Sequence, residues 1–132
     1  SAMRRSEMLS MTWTHVDLVS RIVYLPLTKN GEARTVPLSS KAIEILADLP
    51  RDIKGSVFPI EPQTVAATFM KATKRAGVTD LHFHGLRHTA TTLMANKLPN
   101  VIELAAVTGH KSLAMLRRYY HPCAAGLAKK LS

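Results

Sequence analysis

The sequence has little cysteine and no long apolar run. Its single cysteine, Cys123, excludes an internal disulfide framework and is typical of a protein of the reducing cytoplasm. No apolar stretch approaches the roughly 20 residues that a membrane-spanning helix needs, and none resembles a secretory signal. These absences favour a cytoplasmic globular protein, for which no membrane partner is expected.

Acidic residues are also scarce. They number 9 against 18 lysines and arginines, so the 132 residues carry a formal net charge of +9. The hydrophobic content of 46% is enough for the core of about one domain. A domain this basic favours a polyanionic partner such as a nucleic acid, because it attracts phosphates and releases their counterions. A solvated basic surface without a partner has the same composition, whereas no strongly amphipathic basic helix favours a membrane surface.

The order of local patterns predicts an α+β fold that is mainly helical. A helix is expected over residues 4–11, followed by short strands at 12–17, 21–27 and 33–38. Asn30 and Gly31 are typical of a tight turn, which makes a hairpin with Lys29 near its tip. The strands form a small three-stranded antiparallel sheet packed with a helical core. The helices of that core are expected at 39–49, 64–75, 83–96, 101–108, 112–120 and 124–131.

The densest group of reactive side chains is the run HFHGLRH at 82–88. On a helix, His84, Arg87 and His88 share one face. A guanidinium can bind two phosphate oxygens while an imidazole donates or accepts a proton. His84 and His88 also have the spacing of metal ligands, but the turn lacks an acidic residue and contains the cationic Arg87, so no metal is expected. Taken alone, His88 is more typical of a hydrogen-bonded core residue.

A second group runs from GH at 109–110 to RYYH at 118–121. His110 precedes a predicted helix, whose first amide groups can face an anion. Tyr119 follows nine residues later. A tyrosine, with its usual pKa of about 10, needs cationic and imidazole neighbours to act as a nucleophile. A tyrosine pair taken alone is far more typical of packing.

The opening helix and the hairpin add further candidates. The adjacent Arg4 and Arg5 point about 100° apart, so at most one of them faces a given site. Glu7 lies three residues after Arg4 and is positioned to support it by pairing. Lys29 is expected at a hairpin tip. Each of these residues, taken alone, is typical of an ordinary solvated surface.

Together, these motifs resemble the phage integrase, or tyrosine recombinase, family. The shared order is MRRSE at 3–7, Lys29 in a hairpin, HGLRHT at 84–89, GH at 109–110 and RYYH at 118–121, which covers nearly the whole chain. Each motif is weak alone, but five in the right order are highly specific. The resemblance implies site-specific recombination or integration of double-stranded DNA through a 3′-phosphotyrosyl intermediate. Neither ATP nor a metal is needed, so no cofactor is expected.

The resemblance implies that four side chains bind the DNA phosphate. Arg4 and Arg87 would hold the scissile phosphate and stabilise the charge of its pentavalent transition state. Arg5 does not match the catalytic position. His110 would donate a hydrogen bond to a phosphate oxygen. Lys29 would protonate the leaving 5′ oxygen as the general acid.

The resemblance also implies which groups act at the nucleophile. Tyr119 would attack the phosphorus, and His84 would assist proton transfer at the tyrosine or hold the phosphate. Tyr120 competes for the nucleophilic role, but the spacing from the GH motif favours Tyr119. His88 and His121 directly follow catalytic residues and are expected only to support them.

The domain organisation follows from the same resemblance. Family members carry an N-terminal DNA-binding domain and the first catalytic helices before the motif of Arg4. We therefore expect residues 1–132 to be a partial catalytic domain, with 124–132 as a segment exchanged between the protomers of a tetramer on DNA. A bacterial or phage-encoded protein acting on the nucleoid is expected. A type IB topoisomerase and a DNA-binding fragment without catalysis are the alternatives.

Overall fold

The computed structural model describes residues 1–26 and 32–132, so the predicted hairpin tip with Lys29 lies outside the described residues. The described part is mainly helical with a small sheet, as predicted. The helices and strands are α1 (Arg5–Leu9), β1 (Val16–Asp17), β2 (Ile22–Leu25), β3 (Arg34–Pro37), α2 (Ser40–Asp48), α3 (Pro62–Arg75), α4 (Phe83–Ala95), α5 (Val101–Thr108) and α6 (Ala124–Leu131). Two 3₁₀ segments, Trp13–His15 and Leu113–Tyr119, complete the fold. None of the helices in this part of the chain is long and apolar enough to cross a membrane.

The sheet is a three-stranded antiparallel meander in the order β1-β2-β3. Val23 of β2 lies opposite Val16 on one side and Val36 on the other. The first strand is much shorter than the predicted 12–17, because a 3₁₀ turn occupies half of that stretch. The hydroxyl of Thr12 at the start of this turn bonds to His15 Nδ1 at 3.0 Å.

One hydrophobic core lies between this sheet and α2. Val23, Leu25 and Val36 are almost fully buried because alternate residues of a strand point to the same face. Leu46 covers them from α2. That helix begins after Ser39, whose hydroxyl accepts a hydrogen bond from the backbone N–H of Ala42.

A second core lies among α4, α5 and the 3₁₀ segment Leu113–Tyr119. It is built on Ala95, Leu104 and Leu116. The sequence predicted an α-helix over 112–120, and this prediction is wrong, since the segment is a 3₁₀ helix. Its backbone hydrogen bonds span three residues, as from the N–H of Tyr120 to the carbonyl of Arg117. Packing of the fully buried Leu116 outweighs the local preference for an α-helix.

Arg34 of β3 links the sheet to α5 and α1. Its Nη1 donates to the backbone carbonyl of Val107 at 2.7 Å, and its Nη2 donates to Glu7 Oε2 at 2.9 Å. The chain leaves α5 through Gly109, which has a φ of 70°. A Cβ at Gly109 would lie 2.8 Å from Arg34 Cζ, so both the backbone conformation and the close approach require glycine. The hydrogen bonds of Arg34 thereby hold the sheet, α1 and the end of α5 next to one another.

Candidate active site

A pocket of about 200 Å³ brings together most of the side chains that the sequence motifs singled out. It lies where the start of α1, one face of α4, the turn after α5 and the 3₁₀ segment Leu113–Tyr119 converge. Its lining consists of Arg4, His84, Arg87, His88, His110, Met115, Arg118 and Tyr119. A wider groove of about 1050 Å³ along α1 and the start of α4 shares Arg4, His84 and Arg87 but not the tyrosine. The smaller pocket therefore holds the combination of groups with chemical interest.

Arg87 forms the buried floor of the pocket. Its guanidinium donates to the backbone carbonyl of Ala2 through Nη1 and to that of Thr108 through Nη2, the latter at 2.7 Å. Burial, together with the charge of Arg4, lowers the pKa of Arg87 to about 10. The side chain remains a cation at neutral pH, held in one orientation by carbonyls from two distant parts of the chain.

Arg4 is positioned by Glu7. The backbone N–H of Arg4 donates to Glu7 Oε2 at 2.8 Å, and its Nη1 donates to Oε1 at 3.0 Å. Burial opposes the ionisation of Glu7, but the bonds from Arg4 and the bond and charge of Arg34 outweigh it, so the pKa of Glu7 lies below its ordinary value. A carboxylate that is 2% exposed thus holds two arginines at once.

The sequence analysis missed Arg34. A signal for it exists: Arg34 and the buried Val36 lie two residues apart on a strand and so point to the same face. A charged residue at an inward position needs a buried partner. Glu7 is that partner, but nothing in the sequence identified it.

Tyr119 lies at the open side of the pocket with its hydroxyl 2.6 Å from His88 Nδ1. The two rings are stacked, with centroids 6.4 Å apart, and the guanidinium carbon of Arg118 lies 6.0 Å from the tyrosine ring centroid. His84 lies edge-on to His88, with ring centroids 5.1 Å apart. His88, which was predicted only as a support, therefore contacts Tyr119 directly.

Tyr120 points the other way. Its hydroxyl donates to the backbone carbonyl of Leu98 at 2.6 Å, within the second core. Burial, with a smaller effect from the charge of Glu103, raises the pKa of Tyr120 above its ordinary value. Of the two adjacent tyrosines, only Tyr119 lines the pocket.

His110 closes the pocket from the turn after α5. Its Nδ1 lies 2.7 Å from the Thr108 hydroxyl. Burial and the charges of Arg87 and Arg4 lower the pKa of His110 to about 4. The ring is therefore neutral at pH 7.

Two further predicted site residues, His121 and Lys29, are not among the described residues of the pocket lining. His121 is exposed and is not part of the pocket lining, and Lys29 lies outside the described residues. In residues 1–26 and 32–132, the His, Cys, Asp and Glu side chains form no group of three or more that could hold a metal ion. The pocket combines two fixed guanidiniums with a tyrosine that contacts an imidazole, a set able to bind a phosphate and to attack it.

The chain matches the sequence model of the phage integrase family over residues 1–125. It belongs to this family. It is 42% identical over 132 residues to the shufflon-specific DNA recombinase of Escherichia coli, covering 99% of this chain and 34% of the relative. It is 40% identical over 134 residues to a putative integrase/recombinase of Haemophilus influenzae, covering 99% of this chain and 44% of the relative. The chain thus spans between a third and a half of these curated relatives.

Solved structures of the family share the fold. The catalytic domain of bacteriophage HP1 integrase superposes with a TM-score of 0.74 at 26% identity, covering 98% of this chain and 73% of that one. The XerH site-specific recombinase bound to its difH substrate gives a TM-score of 0.75 at 22% identity, covering 99% of this chain and 43% of that one. The predicted fold class, a mainly helical catalytic domain with a small antiparallel sheet, is confirmed.

Proposed function

We propose that this chain is the catalytic part of a tyrosine-type site-specific recombinase, an enzyme that cuts and rejoins double-stranded DNA through a 3′-phosphotyrosyl intermediate. The observation that carries the proposal is the position of Tyr119. Its hydroxyl lies 2.6 Å from an imidazole nitrogen, in a pocket that Arg4 and Arg87 also line. A phosphodiester in that pocket would meet its nucleophile and its charge-stabilising groups together.

Arg87 and Arg4 would hold the non-bridging phosphate oxygens. The pentavalent transition state carries more negative charge than the diester, so fixed cations lower its energy more than that of the ground state. Because hydrogen bonds already orient both guanidiniums, little reorganisation is needed when the charge develops. His110, which lines the same pocket, would complete the phosphate site.

Tyr119 would attack the phosphorus, and the bond from phosphorus to the 5′ oxygen would break. We propose that His88 accepts the phenol proton, because its Nδ1 is already in contact with that hydroxyl. His84, which lies edge-on to His88, would assist by holding the phosphate or passing the proton on. Lys29 would return a proton to the leaving 5′ oxygen. Rejoining reverses these steps and conserves the energy of the phosphoryl bond.

The partner would be a duplex recombination site, bound by the basic surface of a domain with net charge +9. The solved relatives include recombinases in complex with DNA substrates. We also propose that the protein works as a tetramer in the cytoplasm and that the segment 124–132 docks on a neighbouring protomer. In support, Leu127 and Leu131 of α6 leave 47% and 89% of their surface exposed.

A nicked suicide substrate tests the proposal. After cleavage, the short strand that carries the freed 5′ hydroxyl dissociates, so the covalent intermediate cannot be rejoined and accumulates. The full-length protein should form a protein–DNA adduct with its recombination site, and Tyr119→Phe should abolish the adduct. Tyr120→Phe is the matched control and should retain it. If the unaltered protein forms no adduct, the proposal of an enzyme fails and only DNA binding remains. If the adduct is lost only in Tyr120→Phe, the nucleophile is Tyr120 and not Tyr119.

The role of Lys29 has a separate test. Lys29→Ala should slow cleavage of the natural substrate, while a 5′-thio leaving group, which needs no protonation, should restore the rate. Equal slowing on both substrates would remove Lys29 as the acid.

A further inference from the structure

Thr108, the last residue of α5, contacts both phosphate-binding walls of the pocket. It is fully buried. Its backbone carbonyl accepts the hydrogen bond from Arg87 Nη2 at 2.7 Å, and its hydroxyl lies 2.7 Å from His110 Nδ1. The same hydroxyl donates to the backbone carbonyl of Leu104, also at 2.7 Å. The sequence analysis gave this residue no role.

The number of protons determines the direction of the bond between Thr108 and His110. A threonine hydroxyl has one proton, and a backbone carbonyl can only accept. If that proton lies on the bond to Leu104, the bond to His110 must be donated by the Nδ1–H of the ring. The opposite arrangement would leave two oxygens 2.7 Å apart with no proton between them, at a buried position.

We propose that Thr108 is a positioning residue that holds neutral His110 as the Nδ1–H tautomer, so that Nε2 is the unprotonated nitrogen and gains its proton only when a substrate phosphate binds. This inference deepens the proposed function and rests on it for its catalytic consequence. Because Nδ1 is occupied by a buried hydroxyl, Nε2 is the ring nitrogen that remains for the pocket that His110 lines. A hydrogen bond on one imidazole nitrogen fixes the chemistry of the other.

The tautomer changes what His110 can do. The resemblance implied that His110 donates a hydrogen bond to a phosphate oxygen. A neutral Nδ1–H ring cannot do so through Nε2 and must first take up a proton. The charged groups around it, Arg87, Arg4 and Arg118, together with His88, oppose that proton before a phosphate binds. A bound phosphate anion would offset their charge, so phosphate binding and protonation of His110 are coupled.

Nitrogen-15 NMR of this chain tests the tautomer directly, because the two ring nitrogens have different shifts in each tautomer. The His110 signal, assigned by its loss in His110→Asn, should show a protonated Nδ1 and an unprotonated Nε2 at pH 7. Thr108→Val keeps the shape but removes the hydroxyl, and it should lose this preference. Thr108→Ser keeps the hydroxyl and should retain the wild-type pattern.

Adduct formation by the full-length protein provides the second measurement. Thr108→Val should slow it by about 10-fold to 100-fold, the range seen when a metal-bound histidine loses its orienting partner, and Thr108→Ser should restore most of the rate. A wild-type ring protonated on Nε2, or a tautomer unchanged in Thr108→Val, would overturn the inference. A protein with the expected spectra but no adduct would instead contradict the proposed function, so the two failures are distinguishable.

Discussion

Arg87 and Tyr119 line the same pocket, but different contacts hold them there. Arg87 is buried and donates to two backbone carbonyls, and the neighbouring Arg4 is held by a buried carboxylate. Tyr119 lies at the end of a 3₁₀ segment, with its hydroxyl on the exposed ring of His88. Groups that stabilise developing charge act best when they are already in place. In the proposed function, by contrast, the nucleophile becomes bonded to DNA and must give up its resting partner in every cycle.

The fixed side of the pocket, formed by Arg87 and Arg4, should be more sensitive to a small chemical change than the tyrosine side, formed by Tyr119 and His88. The quantity compared is the rate of adduct formation. Arg87→Lys retains a positive charge but cannot donate to both carbonyls and to a phosphate in the same planar arrangement. We expect adduct formation to fall by about 1000-fold, the upper range for loss of a transition-state donor. Quantified adduct on a suicide substrate measures this effect. Arg75→Lys, at the exposed end of α3, is the control and should react at the wild-type rate.

The tyrosine side should lose less when its partner changes. His88→Gln removes the group that we propose accepts the phenol proton, and adduct formation should slow by about 100-fold. Because His88 is exposed, the melting temperature should change little. His121→Gln is the matched control at an exposed histidine outside the pocket lining, and it should slow the reaction far less. If His84→Gln is much slower than His88→Gln, the proton acceptor is His84 instead.

Replacing Glu7 tests whether the fixed side depends on its buried carboxylate. Glu7→Gln leaves Arg4 and Arg34 without their negative partner, and the free energy of unfolding should fall by about 2 kcal/mol at pH 7, as for a lost hydrogen bond to a charged group. Urea unfolding measures it. Glu44→Gln is the control, since its ion pair with Lys41 is exposed on α2, and it should change stability by less than about 1 kcal/mol.

The unaltered chain and Glu7→Gln should also differ in how the free energy of unfolding depends on pH, and the direction of that difference can be predicted. The pKa of Glu7 is lower in the folded state than its ordinary value of 4.5. Its stabilising contribution is therefore complete above pH 4.5 and is lost as the pH falls through the folded-state pKa. The difference in unfolding free energy between the unaltered chain and Glu7→Gln should shrink over that acid range. A difference that stays constant down to the lowest measurable pH would contradict this account.

Local signals in the sequence predicted the helices and strands better than they predicted the contacts between distant residues. The bounds of α5 and α6 agree with the predicted 101–108 and 124–131, because a side-chain cap at Asn100 and a left-handed Gly109 mark the ends of α5. The strand at 12–17 and the α-helix at 112–120 were wrong in extent or type, since a tight turn and the burial of a leucine decide those segments.

The same contrast holds within the site. Motif order identified Arg4, Arg87, His110 and Tyr119, and the structure brings all four to one pocket. Their partners lie far away in the sequence, as with the 31 residues between His88 and Tyr119. The spacing of hydrophobic residues along the sequence does not indicate such a distant contact. Residues that hold a catalytic group are therefore visible only once the chain has folded.

The smallest expected effect compares two glycines that follow helices, Gly109 after α5 next to Arg34 of the sheet, and Gly77 after α3. Gly109 and Gly77 both have a φ of 70°, so alanine at either position adopts a strained backbone that costs about 1 kcal/mol. At Gly77 the added Cβ meets nothing within 4 Å, whereas at Gly109 it lies 2.8 Å from Arg34. Gly109→Ala should therefore destabilise the chain by about 1 kcal/mol more than Gly77→Ala in urea unfolding. It should also slow adduct formation while Gly77→Ala does not, because displacing Arg34 disturbs the carboxylate that positions Arg4. Equal losses of stability and of rate in the two variants would show that the fixed side of the pocket does not depend on Arg34.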